Sequence, residues 1–297
     1  PKCSVAMTYH KTRSHWLNDP RLVCHWCGTE LPLPRACPSC GSEHLAPVGF
    51  GTERIEEELK LRIPDARILR MDADTTGTKR SYEEMLGKFR RHEADILLGT
   101  QMVTKGHDFP AVTLVGVLLA DSSLYVNDYR ANERTFAMLT QVIGRAGRAD
   151  KPGRAVIQTN APDNDVISLA CEQDYGTFYE REIRLRRALC FPPICDIALI
   201  SFSGSAENMV GIAGVRLLEE LKKLRAEPAF SSAELLVFGP VEAPVYRVDN
   251  RYRQRIVIKC RLTRQVLSLL QSLLLRVSSG FSKQKLYFSI DLNPSSL

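Results

Sequence analysis

The sequence lacks four features, and each absence narrows the possible functions. The longest mainly apolar run, residues 112–120, is far too short to cross a bilayer, and no basic-then-apolar leader opens the chain. We therefore expect a cytoplasmic protein with no membrane partner. The sequence also has no Gly-x-x-x-x-Gly-Lys-Ser/Thr loop and no Asp-Glu-x-His motif after a strand. The phosphate cradle and magnesium ligand of a nucleotide hydrolase are therefore not in this chain.

The composition is that of a globular protein rather than a disordered or fibrous one. Of the 297 residues, 44% are hydrophobic and 25% are charged. A chain of this length is expected to form two or three structural units. Its net charge of +6 permits nucleic acid as a partner but does not require it, because many basic proteins bind none.

The cysteines cluster near the start of the chain, in a pattern that indicates metal. Five of the nine lie within the first 40 residues, namely Cys3, Cys24, Cys27, Cys37 and Cys40. The last four form two Cys-x-x-Cys pairs, each followed by glycine, which suits tight thiolate knuckles. In a chain with no secretory leader this spacing favours structural zinc over disulfides. Taken alone, the four paired cysteines could form one closed site and leave Cys3 over.

The pattern along the chain predicts four segments. They are a cysteine-rich module at 1–45, an α/β lobe at 46–160, a helical linker at 161–195 and a final domain at 196–297. The chain begins Pro1-Lys2-Cys3 without an initiator methionine, as if cut through a Cys-Pro-x-Cys knuckle. We therefore expect the sequence to be the carboxy-terminal part of a longer protein.

The lobe at 46–160 alternates helices with short apolar strands. This alternation predicts a parallel sheet covered on both faces, in which ligands gather where the strands end. Asp72, Thr100 and Asp121 are each placed at a predicted strand end, and Thr52 is predicted to cap a helix. A long helix is predicted over residues 132–146.

Two stretches of this lobe carry its chemistry. The first, GTQMVTKGHDFP at residues 99–110, follows an apolar strand, and the second is QVIGRAGR at residues 141–148. If the second is helical, Arg145 and Arg148 share one face and suit a nucleotide phosphate. Gly144 and Gly147 beside them indicate a close approach to the backbone. The alternative is a surface helix with two solvated arginines.

The last 135 or so residues are expected to be a helix and a small domain. Residues 163–189 are predicted to form one helix, which ends before Phe-Pro-Pro at 191–193. The following pattern, β-α-β-β-α-β, predicts a ferredoxin-like α+β domain. The connection between its two central strands, residues 240–255, includes two tyrosines and four arginines, among them Arg247, Arg251 and Arg253. These residues form a candidate DNA-binding surface, with a charge-protected edge strand as the alternative.

The two stretches, with the Gly49-x-Gly51-Thr-Glu53 and Asp72-x-Asp-Thr-Thr76 motifs, resemble the PriA family of replication-restart helicases in superfamily 2. The resemblance implies a RecA-like second helicase lobe with an inserted zinc module. It implies that Arg145 and Arg148 reach the ATP γ-phosphate, with Mg²⁺ supplied elsewhere. The resemblance also implies that the nucleotide contacts Gly106, Asp108 and Gln141. It implies that the DNA backbone contacts Thr100 and Gln101. Alone, the chain should hydrolyse no ATP.

The same resemblance implies the metals and the partners. Cys3, Cys24 and Cys27 would share one zinc ion with a ligand before residue 1, and Cys37 and Cys40 would belong to a second zinc site. Branched and single-stranded DNA, single-stranded-DNA-binding protein and primosome loading proteins would be partners in the bacterial cytoplasm, at the nucleoid. Two alternatives are a zinc-ribbon nucleic-acid-binding protein without motor activity and another superfamily 2 DNA translocase.

Overall fold

The structure, a computed structural model, describes residues 2–10, 21–45, 51–72, 79–100, 103, 109–147, 152–281 and 285–297. It forms two compact units. One comprises residues 46–181, and the other joins residues 1–45 to residues 182–297. This grouping is coarser than the four predicted segments, because the cysteine-rich module and the final domain fall in one unit. Among the described residues, no helix is both long enough and apolar enough to cross a bilayer.

The cysteine-rich module contains three short strands, β1 (Thr8–His10), β2 (Arg21–Val23) and β3 (Glu30–Pro32). They pair antiparallel in the order β1-β2-β3. The strands bury few side chains, as expected of a small module that depends on a metal or on a neighbouring domain for stability.

The unit at 46–181 contains parallel strands connected by helices, as predicted. Its elements are α1 (Thr52–Arg62), β4 (Ile68–Met71), α2 (Lys79–Arg90), β5 (Ile96–Gly99), β6 (Leu114–Val117), α3 (Ala131–Ile143), β7 (Arg154–Ile157) and α4 (Asp165–Glu172). β4 pairs with β5, and β6 pairs with β7. Phe136 of α3 stacks on Phe178 with ring centroids 4.2 Å apart, in a core completed by residues of α4.

Three details of this unit differ from the sequence predictions. The described strands form two separate parallel pairs rather than one continuous sheet. Gly51, not Thr52, is the N-cap of α1, because the Thr52 hydroxyl donates instead to Asp72. The single helix predicted at 163–189 is two helices, α4 and α5 (Tyr175–Leu189), because Gln173 adopts a left-handed conformation with φ 56°. Asp174 then accepts hydrogen bonds from the Thr177 N–H and hydroxyl and so starts α5.

The final domain has the predicted element order β-α-β-β-α-β. Its elements are β8 (Asp196–Gly204), α6 (Glu207–Ala226), β9 (Leu235–Val248), β10 (Arg251–Cys260), α7 (Arg264–Gly280) and β11 (Tyr287–Leu292). The sheet is antiparallel throughout, in the order β11-β8-β10-β9.

The core of this domain lies between one face of the sheet and the two helices. Ala198, Ile200 and Phe202 alternate along β8 and face α6, whose buried residues Leu217, Leu221 and Leu224 recur at helical spacing. Burial of a side chain as large as Phe202 contributes about 1.5–3 kcal/mol. The opposite face of the sheet carries the other half of each strand, including several charged residues of β10.

The hairpin that joins β9 to β10 corrects the prediction of a long turn over residues 240–255. β9 continues to Val248, and only Asp249 and Asn250 form the turn, with φ angles of 46° and 59°. Asp and Asn tolerate this left-handed conformation, which matches the twist of a two-residue hairpin. Arg247, Arg251 and Arg253 are therefore strand residues.

Candidate nucleotide, metal and nucleic-acid sites

The predicted strand-end residues of the helicase-like unit lie where the sequence placed them. Met71 of β4 pairs with Gly99 of β5, so Asp72 and Thr100 follow neighbouring strands at the same edge. Asp72 is buried and accepts a hydrogen bond from the Thr52 hydroxyl at 2.5 Å. In parallel sheets this edge is the usual position for ligands.

Asp121 lies at the corresponding end of the other strand pair, just after β6. It is buried, and its Oδ1 accepts hydrogen bonds from the Asn160 N–H at 3.0 Å and the Thr159 hydroxyl at 2.9 Å. The Asn160 N–H, followed by the Thr159 hydroxyl, holds the pKa of Asp121 below its usual value despite burial. These contacts tie the end of β6 to the residues that follow β7.

The arginine stretch at 141–148 is not a continuous helix. α3 ends at Ile143, so the prediction that Arg145 lies on a helix face is wrong. The reason is the glycine content, because Gly144 is the C-cap and Gly147 has the left-handed φ of 69° that ends helices. Arg145 lies in the turn between them.

Gly147 fixes this turn against the strands. Its N–H donates to the carbonyl of Val112, just before β6. A Cβ at Gly147 would overlap the backbone of Gly153, just before β7. The close approach predicted for this glycine is therefore an approach of the chain's own backbone.

Arg145 is half-buried beside this anchored turn. Its Nε is shielded from solvent and has no hydrogen-bond partner among the residues that the structure describes. Gln141 is exposed in the last turn of α3. The other predicted residues of this region, namely Arg148, Gly106, Asp108 and Gln101, lie outside the described residues.

Three of the five predicted metal ligands come together. The sulfur atoms of Cys3, Cys24 and Cys27 all lie within 4.8 Å of one another, and Cys3 and Cys24 are buried. This is the grouping implied by the family resemblance. The structure does not show the alternative, one site from Cys24, Cys27, Cys37 and Cys40. Soft thiolates at such separations suit zinc, and three of its four usual ligands are present.

Both Cys-x-x-Cys pairs have the knuckle geometry that their spacing predicts. In the first, Gly28 donates its N–H to the Cys24 carbonyl, and in the second Gly41 donates to the Cys37 carbonyl, each at 2.8 Å. The φ angles of the two glycines are 70° and 72°, a conformation that costs other residues about 1–2 kcal/mol. The second knuckle is thus formed like the first, although it lies outside the three-cysteine cluster.

The thiols of the cluster differ in acidity. The Thr29 hydroxyl, 3.1 Å from the Cys27 sulfur, lowers the pKa of Cys27 to about 7. At Cys3 the Asp249 N–H lowers the pKa, but burial and the two neighbouring thiols outweigh it, so the pKa of Cys3 is raised. A cluster with one acidic thiol releases a proton readily when a metal binds.

The three predicted DNA-binding arginines do not lie on one surface. Arg247 of β9 pairs directly with Tyr252 of β10, and its guanidinium lies 5.8 Å from the centre of that ring. Tyr252 packs against the core on the helix-covered face. Arg251 and Arg253 alternate with Tyr252 and therefore project from the opposite face of the sheet.

That opposite face carries two further basic residues, Arg255, which ends the predicted basic stretch, and Lys259, which the sequence interpretation missed. Arg255 continues the alternation of Arg251 and Arg253, and Lys259 lies further along the same strand. The Nε of Arg255 is shielded and has no hydrogen-bond partner among the described residues, and burial lowers the pKa of Arg255. Lys259 donates to the Leu189 carbonyl and is covered there. Side chains alternate between the two faces of a strand, so taking every second residue of β10 in the sequence would have revealed this row of basic residues.

An aromatic side chain flanks the row. The guanidinium of Arg251 lies 4.3 Å from the centre of the Tyr287 ring and donates to the Ser203 carbonyl at 3.1 Å. Tyr287 is 63% exposed, so its ring is available for stacking. We call Arg251, Arg253, Arg255 and Tyr287 the basic face.

Comparisons with known proteins agree with this architecture. The family model of the helicase conserved C-terminal domain matches residues 49–150, and that of the primosomal protein N C-terminal domain matches residues 187–295. The chain is 42% identical over 294 residues to the replication restart protein PriA of Bacillus subtilis and 36% identical over 297 residues to that of Synechocystis. A hydantoinase/carbamoylase family amidase from Burkholderia ambifaria, 12% identical with a TM-score of 0.23 over 33% of this chain, is too dissimilar to indicate a relationship.

The chain is thus a helicase C-terminal lobe joined to a primosomal C-terminal domain. It belongs to the family of the replication restart protein PriA. The matches cover 99% and 100% of this chain but only 35% and 34% of the Bacillus and Synechocystis proteins, so the chain spans about a third of their length. The family predicted from the sequence is confirmed.

Proposed function

We propose that this chain supplies the second motor lobe, the metal module and a DNA-binding domain of an ATP-dependent DNA helicase that restarts replication at stalled or branched forks. The observation that carries the proposal is the match to replication restart proteins over 99% of the chain. The whole activity requires a partner lobe, because the phosphate-binding loop is not in this sequence.

In this proposal Arg145 and Arg148 act as arginine fingers on ATP that the other lobe binds with Mg²⁺. Their guanidinium groups would stabilise the charge that develops on the γ-phosphate during transfer. Two observations support this role: the Nε of Arg145 is shielded and has no hydrogen-bond partner within the described part of the chain, and Gly147 anchors the turn. Gly106, Asp108 and Gln141 would contact the nucleotide.

Zinc would be structural and would occupy two sites in the complete protein. Cys3, Cys24 and Cys27 would hold one ion together with a fourth ligand from outside the chain. Cys37 and Cys40 would contribute to the second, since their knuckle has the same backbone geometry as the first. Bound zinc would cross-link the short strands of the module and so stabilise them, because they bury little surface of their own.

DNA would bind on several parts of the chain. Thr100 and Gln101 would contact the backbone of the translocating strand at the end of β5. The basic face would bind branched or single-stranded DNA through its arginines and through stacking on Tyr287. Arg247 would act separately, from the other side of the hairpin. Single-stranded-DNA-binding protein and primosome loading proteins are the proposed protein partners, in the bacterial cytoplasm at the nucleoid.

The test is DNA-stimulated ATP hydrolysis by the full-length protein and by this chain alone. We expect hydrolysis from the full-length protein and none from the chain. Hydrolysis by the isolated chain would overturn the two-lobe proposal. A full-length protein that binds DNA without hydrolysing ATP would favour the zinc-ribbon binder instead.

A further inference from the structure

The first residues of the chain lie along the tip of the β9–β10 hairpin. The N–H of Ser4 donates to the Arg247 carbonyl at 2.9 Å, and the N–H of Arg247 donates to the Ser4 hydroxyl at 2.9 Å. The N–H of Asn250 donates to the Lys2 carbonyl, also at 2.9 Å. Residues 2–4 therefore extend the hairpin, and they come from a segment more than 240 positions away in the sequence.

Cys3 lies at the centre of this contact. The N–H of Asp249 donates to its sulfur at 3.2 Å, and Cys3 itself is only 3% exposed. The same sulfur belongs to the cluster with Cys24 and Cys27. The hairpin tip thus directs a backbone donor at an atom that is also positioned to bind a metal.

Such a donor suits a metal-bound thiolate. A coordinated cysteine sulfur carries negative charge, and an N–H hydrogen bond to it is charge-assisted. Partners of this outer kind orient metal ligands and affect metal affinity strongly. The left-handed conformations of Asp249 and Asn250 turn both N–H groups towards residues 2–4, so the two-residue turn is what makes the contact possible.

We propose that the β9–β10 turn is an outer part of the Cys3–Cys24–Cys27 metal site, and that metal binding there and DNA binding by the basic face strengthen each other. The second half rests on the proposed function of that face. Arg251 follows Asn250 directly, and Arg253 lies two residues further along β10. A metal that fixes Cys3 holds the turn, and the turn orders the start of the strand that carries these arginines. Because linkage is reciprocal, bound DNA must raise metal affinity by the same factor.

The first experiment lengthens the turn. Gly-Ser-Gly-Ser is inserted between Asp249 and Asn250, in a background of Cys37→Ala and Cys40→Ala that removes the second knuckle. Zn²⁺ affinity is measured by competition with a chromophoric chelator. We expect the insertion to weaken Zn²⁺ binding about 10–100-fold, the usual effect of losing an outer partner. The same insertion between Ser231 and Ser232, an exposed loop that precedes β9, is the control and should change affinity less than about twofold. Equal affinities of the two variants would overturn the proposal.

A second measurement needs no variant and so does not depend on whether the insertion folds. Hydrogen exchange of the wild-type chain is followed with Zn²⁺ and after chelation. We expect the amides of Asp249 and Asn250 to exchange about tenfold or more slowly with Zn²⁺, because opening the turn then requires release of a metal ligand. Amides in the middle of α6 serve as the control and should not change. Unaltered exchange in the turn would contradict the proposal.

The link to DNA has its own readout. A fluorescent single-stranded oligonucleotide should bind the wild-type chain about fivefold more tightly with Zn²⁺ than after chelation, the lower end of typical coupling between sites. The turn insertion should remove this difference. If Arg251→Gln combined with Arg253→Gln leaves DNA affinity unchanged, the proposed role of the basic face is wrong. In that case the Zn²⁺ affinities and the hydrogen-exchange rates still decide whether the turn belongs to the metal site. If those two arginines matter but Zn²⁺ has no effect on DNA affinity, the coupling is wrong.

Discussion

The backbones of Gly147 and Gly153 lie so close together that a Cβ on either residue would overlap the other. The contact joins the turn after α3 to the start of β7 and so holds the turn that carries Arg145. Gly147 and Gly153 therefore help to set the position of Arg145, the side chain proposed to reach ATP.

Gly147→Ala should destabilise the chain by at least about 2 kcal/mol, because alanine disfavours the left-handed φ and its Cβ overlaps Gly153. Chemical unfolding followed by circular dichroism measures the change. The control is Gly116→Ala in the same unit, an exposed position of β6 where an added Cβ would meet no atom within 4 Å. That variant should lose no more than about 0.5 kcal/mol. Similar losses for both variants would show that the contact at Gly147 is not rigid.

Asp121→Asn should remove an acid-dependent part of the stability. The hydrogen bonds from Asn160 and Thr159 lower the pKa of Asp121 in the folded state, so its carboxylate stabilises the fold above its usual pKa of 3.8. This contribution is lost as the pH falls through the lowered pKa. Unfolding midpoints at several pH values between neutral and strongly acidic should therefore decline more steeply for wild type than for the variant, whose amide oxygen can still accept both bonds. Parallel declines would mean that Asp121 does not contribute to acid sensitivity.

Arg251→Gln combined with Arg253→Gln should weaken binding of single-stranded DNA about tenfold and make it less dependent on salt. Each lost phosphate contact lowers the slope of log affinity against log salt concentration by about one. Fluorescence anisotropy at several salt concentrations gives both quantities. Lys222→Gln combined with Arg225→Gln is the matched control, because it also removes two positive charges, at exposed positions of α6 away from the basic face. A loss equal to that of the control would show that the effect is one of net charge only.

The sequence predicted most of the final domain because its local signals agree with its tertiary structure. Alternating apolar residues predict a strand over residues 197–203, and helical spacing predicts a helix over residues 206–225, each within one residue of the observed bounds of β8 and α6. The hairpin was missed because Pro240 and Pro244 indicate a loop. Both prolines lie in β9, an edge strand, where a missing N–H is tolerated. The row Arg251, Arg253 and Arg255 was recoverable once that stretch was read as a strand.

Other parts of the candidate sites were beyond reach of local patterns. The turn that carries Arg145 is held by the hydrogen bond from the Gly147 N–H to the carbonyl of Val112, which lies 35 positions earlier in the chain, so no short window of sequence contains this contact. Cys3 meets Asp249 across 246 positions, so neither spacing nor periodicity could pair them. The grouping of Cys3 with Cys24 and Cys27 came from the family resemblance, and the spacing alone left a single four-cysteine site open.

The most direct test of the proposed motor role compares ATP turnover with DNA binding in the full-length protein that carries both lobes. Arg145→Ala and Arg148→Ala should each lower DNA-stimulated kcat by about 10³-fold or more, the range for loss of an arginine finger, and leave the Kd for fork DNA nearly unchanged. Arg154→Ala, at an exposed position of β7, serves as the control and should preserve both quantities. Equal losses of ATP turnover and DNA affinity in the first two variants would contradict the account, because they would show that the segment is needed for folding rather than for catalysis.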